Sequence, residues 1–425
     1  MQNMLFFIIA RICFIRYRNH AKKQNFIVQE RSIAIPMSQK LKSPDIIKGI
    51  GILMIIIVHN RHFMIWGEMS GLMQTVKQLI NFGQMGCQLF FFISGFSLCY
   101  SWERMTAANP SKGFIPTSLR FVLRRYLRLI PGFLIIMAVN WLLNILLIDT
   151  PEFLGFLMNR EPLAITTNIL FIHGLFPDYI NNVFPGGWYI GTAFLLYITF
   201  PLLFCTFKKL SHLPAVCMTA IPLLLLAFNY YLLRHISIAT AYEFYPYNNS
   251  FLYFFFTNHL PCFSLGILLY FFEKKEFSVK CPLVISIPLF AAITYLCIYL
   301  YLLPEENHLY TFMPTIAGLA VFWLAAALIH VEKKRLSASK KYAHTLLSRF
   351  LVSCGQHSYG MYLVHSLICW YGLKTLRYFL TLDGRTYNEL LVYWLVFIPS
   401  VFAVYGLGLC LEKLLSKIDR KLRPS

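Results

Sequence analysis

The chain has 425 residues, of which 58% are hydrophobic and 13% charged, with a formal net charge of +20. A soluble globular chain carries about 25% charged residues, so a water-exposed fold is excluded. The Lys and Arg sit in short clusters between apolar runs, as loops flanking membrane spans do, and this placement argues against nucleic acid as a partner.

The first 42 residues form a basic segment. Met4 to Ile15 is apolar but interrupted by Arg11, and Arg16, Arg18, Lys22 and Lys23 follow it, the wrong order for a secretory signal. Two readings stay open: an interfacial anchor helix, or sequence lying upstream of a true start at Met37, which is slightly favoured. A spanning helix needs about 20 apolar residues. Such runs fall near 46–66, 83–102, 126–148, 188–207, 213–233, 251–272, 281–303, 312–331, 357–380 and 389–411. The expected fold is therefore an all-α polytopic transmembrane bundle of about ten spans, with both termini cytoplasmic. Of the 38 Lys and Arg, only Arg61, Lys77, Arg160, Arg234, Lys374, Arg377 and Arg385 then lie outside. A missed span would invert this alternation downstream of it. The longest outside segment, 149–187, carries Asp149, Glu152, Glu161 and Asp178. Its apolar stretch Leu163 to Leu175 is too short to span and is expected to be interfacial or re-entrant. Residues 43–412 read as one membrane domain and 413–425 as a basic cytoplasmic tail. The 11 Cys are scattered, with no C-x-x-C pair and no zinc-type spacing.

Ionisable groups inside spans are costly and mark candidate sites. Lys48 and His59 are eleven residues apart, which returns to within about 20° of the same helix face after a rise of roughly 16 Å. One face thus offers a cation near the cytoplasmic surface, suited to phosphate, and an imidazole deeper in the membrane, suited to act as a general base on a hydroxyl. The structural alternative is a snorkelling lysine and a hydrogen-bonded histidine. Arg125 and Arg128 share a face, and two guanidiniums there suit the phosphates of a nucleotide-type cofactor, or else anchor the span to anionic lipid headgroups. Ser94-Gly95, inside Phe91 to Phe96, allows close helix packing. Pro185-Gly186-Gly187-Trp188-Tyr189 suggests a bend entering the fourth span, with Trp188 and Tyr189 in an interfacial belt. His365, at the end of Ser358 to His365, is a second intramembrane imidazole. His62 lies one turn beyond His59, with Glu68 following; two His at i, i+3 could be metal ligands, but the sequence places no third, so no metal site is expected. His173, His212, His259 and His308 give no pattern.

This ordered set resembles the acyltransferase family 3 of membrane proteins, over about Ser43 to Ile418. Asp45 to Ile50 with His59 is similar to the family's first span, and Arg125 and Arg128 to its R-x-x-R element. Phe91 to Phe96 matches its Phe-rich Ser-Gly stretch. Trp188, Tyr197 and Pro201 match its W…Y…P span, and Ser358, Tyr362 and His365 its S-x-x-x-Y-x-x-H stretch. The resemblance implies a multi-pass enzyme of the cell (inner) membrane that moves an acyl group, most simply acetyl, from cytoplasmic acyl-CoA to a sugar hydroxyl of a cell-surface or lipid-linked glycan. It implies His59 as the catalytic imidazole, with Lys48, Arg125 and Arg128 holding the coenzyme A phosphates and Asp45 orienting Lys48. Ser94, Trp188, Tyr197 and His365 would support the site. Acetyl-CoA or another acyl-CoA would be a co-substrate, with no tightly bound cofactor. Some members carry a fused extracytoplasmic esterase-like domain. This chain leaves no room for one, so it is expected to finish the transfer itself or to hand the acyl group to a separate extracytoplasmic partner. Two departures stand out: Lys48 replaces the commoner Arg, and Ala193 occupies the position where members usually carry Glu. The competing reading is a polysaccharide flippase or polymerase-type protein, against which stand few intramembrane acids and no matched pair of broken helices.

Overall fold

The computed structural model describes residues 41–61, 71–147, 158–240, 251–281, 283–302, 311–337, 345–381 and 389–422. The segment before Leu41, the pair His62 and Glu68, and the acids Asp149 and Glu152 lie outside them. Every regular element among the described residues is helical. Nine helices there are long and apolar enough to cross a membrane.

In chain order, the first span is α1 (Ser43–Asn60). After α2 (Gly71–Asn81) and one 3-10 turn come α3 (Gly86–Ala107) and α4 (Phe114–Leu147). A short α5 (Pro162–Ile169) precedes α6 (Trp188–Leu210) and α7 (Ala215–Thr240). Then follow α8 (Phe251–Phe254), α9 (Phe256–Lys274), α10 (Phe277–Lys280), α11 (Leu283–Leu302) and α12 (Met313–Ser337). The chain closes with α13 (Leu346–Gln356), α14 (Ser358–Ser366), a π-helical segment Leu367–Gly372, α15 (Leu373–Thr381) and α16 (Glu389–Leu422). Nine of the ten apolar runs thus become single spans. The run 357–380 is helical from Ser358 onward but in three parts, with wider π turns starting just after His365. Helices α4 and α16 have 34 residues each. At 1.5 Å per residue that is about 51 Å, well beyond a hydrocarbon core of about 30 Å. The basic residues read as loop or tail, Arg120 and Arg124 on α4 and Lys413 and Lys417 on α16, therefore lie on helical extensions.

Lipid supplies no hydrophobic drive between helices, so close van der Waals approach must hold them together. Glycine supplies it here. A Cβ on Gly95 of α3 would collide with the Phe263 carbonyl of α9, and one on Gly266 of α9 with the Phe92 carbonyl of α3. On α1, Gly49 lies against the Leu351 carbonyl, while Gly355 of α13 lies against the Asp45 carbonyl. Those two contacts make α13 antiparallel to α1, and α14 then turns back. The outer face of α11, by contrast, is broadly exposed, with Val284, Ile287 and Tyr295 bare as lipid-facing residues should be.

Two carboxylates, Glu332 buried and Glu412 half-buried, close helix starts at the basic end. Glu332 of α12 accepts the backbone N–H groups of Lys42 (2.7 Å) and Ser43 (3.0 Å) and the Ser43 hydroxyl (2.5 Å) at the start of α1. Glu412 of α16 accepts from the Gly360 N–H (3.1 Å) and pairs with His357 (2.6 Å) at the start of α14. Each satisfies donors left open by the first helical turn and complements the positive end of the helix dipole. A third acid, Glu273, binds Ser278 and Lys333 (2.6 Å) and ties α9 and α10 to α12.

Two stability tests follow. Gly266→Ala should lower Tm in detergent, since overpacking a well-filled contact costs about 1–3 kcal/mol, whereas Gly406→Ala, with nothing within 4 Å of its added carbon, should leave Tm unchanged or raised. Glu332→Ala should cost about 1–2 kcal/mol as a lost cap and speed hydrogen exchange at the amides of Lys42 and Ser43; unchanged exchange there would refute the capping role.

Candidate active site

Helix α1 ends inside the bundle. The Asn60 side-chain amide donates to Ser400 (2.8 Å), eleven residues into α16 and so about 16 Å from that helix's start. His59 occupies this last turn and meets His365 of α14, with ring centroids 4.8 Å apart. His365 is buried, and its Nδ1 faces the Tyr362 carbonyl one turn back. A carbonyl only accepts, so Nδ1 carries the proton and Nε2 of the neutral ring presents a lone pair. Among the described residues no hydrogen-bond partner meets that Nε2.

The bend before α6 covers this edge of the ring. Gly186 has φ +83°, and a Cβ there would lie 3.3 Å from His365 Cε1 and 3.5 Å from Nε2. Only glycine holds this backbone without strain and without crowding the imidazole. The bend is pinned twice: the Tyr362 hydroxyl donates to the Gly186 carbonyl (2.7 Å), and His173 Nε2 donates to the Gly187 carbonyl (3.2 Å). His173, without pattern in the sequence, is fully buried, stacked near Phe133 and pressed against Gly191. The apolar stretch 163–175 thus folds into the bundle as α5 and a 3-10 turn, with Phe171 in left-handed backbone (φ 57°) packed against Phe133 and Tyr126.

Aromatic residues lead from the histidines toward the basic end. Tyr362 lies 5.0 Å from His365 and 4.7 Å from Tyr189. Tyr189 is within hydrogen-bonding reach of Ser94 on α3 and interacts with Tyr197, just over two turns along α6. Tyr197 is in turn an electrostatic neighbour of Arg125 on α4 and of Tyr359 on α14.

The cations gather lower down. Arg125 donates to Ser101 of α3 (2.5 Å) and lies over the Phe121 ring. Arg128 is exposed and interacts with Tyr359, whose hydroxyl donates to the Leu129 carbonyl (2.5 Å). Lys48 has its ammonium 3.4 Å from Asp45, and Gln356 approaches the same carboxylate at 3.5 Å. The α13–α14 junction therefore bridges the two cationic groups, with Gln356 reaching α1 and Tyr359 reaching α4.

Trp188 belongs to a different cluster. It stacks on Phe254 (4.2 Å) and lies 5.7 Å from His259, whose Nδ1 meets the Gln88 side chain at 3.1 Å. Ala193 is buried in the apolar core, beside Thr192, which donates to the Phe254 carbonyl (2.8 Å). Among the described residues no group of three His, Cys, Asp or Glu is placed to hold a metal.

Sequence reasoning did not single out His173, Gln88, Asn60, Glu332 or Glu412. The only linear signal for them was a polar residue in or beside an apolar run, which gives no partner.

No curated protein and no solved structure matches this chain. One family model, described as an acyltransferase domain, matches residues 41–409, nearly the whole described chain. This multi-pass helical membrane protein, with its paired imidazoles and clustered cations, thus belongs to the acyltransferase family 3.

Proposed function

We propose that the protein transfers an acyl group, most simply acetyl, from acyl-coenzyme A at the basic, cytoplasmic end to a sugar hydroxyl of a cell-surface or lipid-linked glycan arriving from the other side of the inner membrane. The contact between His59 and His365, with the His365 Nε2 lone pair facing no hydrogen-bond partner among the described residues, is the observation that carries this reading. A buried polar atom without a partner calls for an explanation, and an imidazole in that state is a ready proton acceptor.

In this mechanism an imidazole of the pair takes the proton of the acceptor hydroxyl as its oxygen attacks the thioester carbonyl. The C–O bond forms, the C–S bond breaks, and the proton is returned to the leaving thiolate. His59 is the group that touches the reacting atoms. His365 orients it or relays its proton, held in one tautomer by the Tyr362 carbonyl. The Gly186 bend and Tyr362 shield His365 from bulk water. Lys48, Arg125 and Arg128 take the phosphates of the donor, whose long pantetheine arm suits the roughly 16 Å along α1 between Lys48 and His59. Asp45 and Gln356 position Lys48. Either the protein completes the transfer itself, or a separate extracytoplasmic partner accepts the acyl group.

The test is acyl-coenzyme A binding and turnover by purified protein. His59→Ala should retain donor binding and lose turnover by about 10²–10⁴-fold, the usual contribution of a general base. Arg128→Ala should weaken donor binding instead. Tyr362→Phe removes the bond to Gly186 and should lower kcat while donor affinity stays unchanged. If wild type shows no saturable binding of any acyl-coenzyme A, the reading fails, and flippase or polymerase-type glycan handling takes its place.

A further inference from the structure

At the basic end a cavity of about 320 Å³ opens between α3 and α4, lined by Ser101, Arg104, Met105, Ala108, Asn109 and Arg124. Arg120 closes one end by donating to Asn109 (3.2 Å), and Arg125 closes the other by donating to Ser101 (2.5 Å). Arg125 is close enough to Arg104, Arg124 and Arg128 to be repelled by each. The one acid on this part of α3, Glu103, is engaged by Lys274 of α9. Guanidiniums from two helices thus converge on one open cavity with no carboxylate among them in the described residues. An anion in that space would relieve the repulsion, and guanidiniums bind phosphate through paired N–H donors.

We infer that this cavity is a second phosphate site, distinct from the place of Lys48 and Arg128, and that it takes the ribose phosphate monoester of the coenzyme A donor. The inference rests on the acyl-coenzyme A reading and extends it to Arg104, Arg120 and Arg124. A phosphate monoester carries close to two negative charges, which suits a cavity lined by two guanidiniums, with Arg120 bonded to its Asn109 wall, better than a singly charged diester does. The volume fits one nucleotide-sized group. The Asn109 end also lies farther from the histidines than Ser101 does, past the C-terminal end of α3. The nucleotide end of the donor would therefore sit outermost and its thioester innermost. The headgroup phosphate of an anionic lipid shares this chemistry and is the rival occupant.

The experiment compares coenzyme A with dephospho-coenzyme A, which lacks only that monoester, by titration calorimetry on the full chain in phosphatidylcholine nanodiscs. Wild type should bind coenzyme A at least tenfold more tightly. The double variant Arg104→Gln/Arg124→Gln should bind both ligands with the wild-type affinity for dephospho-coenzyme A, which also shows that it is folded, and Arg104→Lys/Arg124→Lys should recover part of the preference. If wild type shows the preference and the glutamine variant keeps it, the site assignment is overturned while the donor reading stands. If wild type binds both ligands equally, and phosphatidylglycerol raises the Tm of wild type but not of the variant, the cavity is a lipid-headgroup site and the assignment is again overturned alone. If wild type binds neither ligand, the donor reading falls and takes this inference with it.

Discussion

The carboxylate of Glu332 at the start of α1 governs how the rest of the bundle can be arranged. In an apolar solvent the first N–H groups of a helix find no water, so their partners must come from the protein. Glu332 meets those of Lys42 and Ser43 and thereby fixes α1 against α12. The rise of α1 then sets the height of everything on it. Asp45 and Lys48 stand in the first turns, and His59 stands in the last, where Asn60 is held by Ser400. Glu412 does the same for α14 and so fixes the height of Tyr362 and His365. Two acids remote from the imidazoles thus anchor the starts of the two helices that carry them.

Glycine sets the lateral spacing as the caps set the vertical one. Gly49 and Gly355 bring α13 against α1, Gly51 and Gly86 bring α3 against α1, and Gly95 and Gly266 bring α3 against α9. Between these contacts run the polar groups that a membrane helix tolerates only when they face the interior. The arrangement is directional. Cations collect where α1, α3, α4 and α14 leave the apolar region, and neutral aromatic hydroxyls lie between them and the histidines. A substrate with a charged end and a slender neutral arm fits that gradient.

Departures from the linear reading have physical causes. The run 357–380 has the composition of one span, but its π turns beyond His365 interrupt the regular ladder, a feature frequent at functional sites. Trp188 and Tyr189 are neighbours in sequence and were both expected at an interface. One helix step separates them by about 100°, so Tyr189 faces Tyr362 while Trp188 faces Phe254 and His259. The Ser94-Gly95 pair was expected to allow close packing; Gly95 makes that contact, while Ser94 comes within reach of Tyr189.

Composition and periodicity alone determined that this chain lies in a membrane as a helical bundle. The penalty for exposing charge or unpaired backbone to lipid leaves few alternatives, and apolar length registers that penalty directly. The spacing of Lys48 and His59 also placed a cation and an imidazole on one face, since the helical repeat is fixed. Only the tertiary structure decided what that imidazole faces. His365 lies 306 positions away in numbering, and nothing local in either segment encodes their meeting. The same holds for the lone pair on Nε2, which depends on the Tyr362 carbonyl, and for the cover over it, which depends on the backbone of Gly186 and on His173 beneath the bend. Long-range contacts of this kind arise from how glycine faces and capping carboxylates pack helices together, and such packing is a property of pairs of segments that no single segment displays.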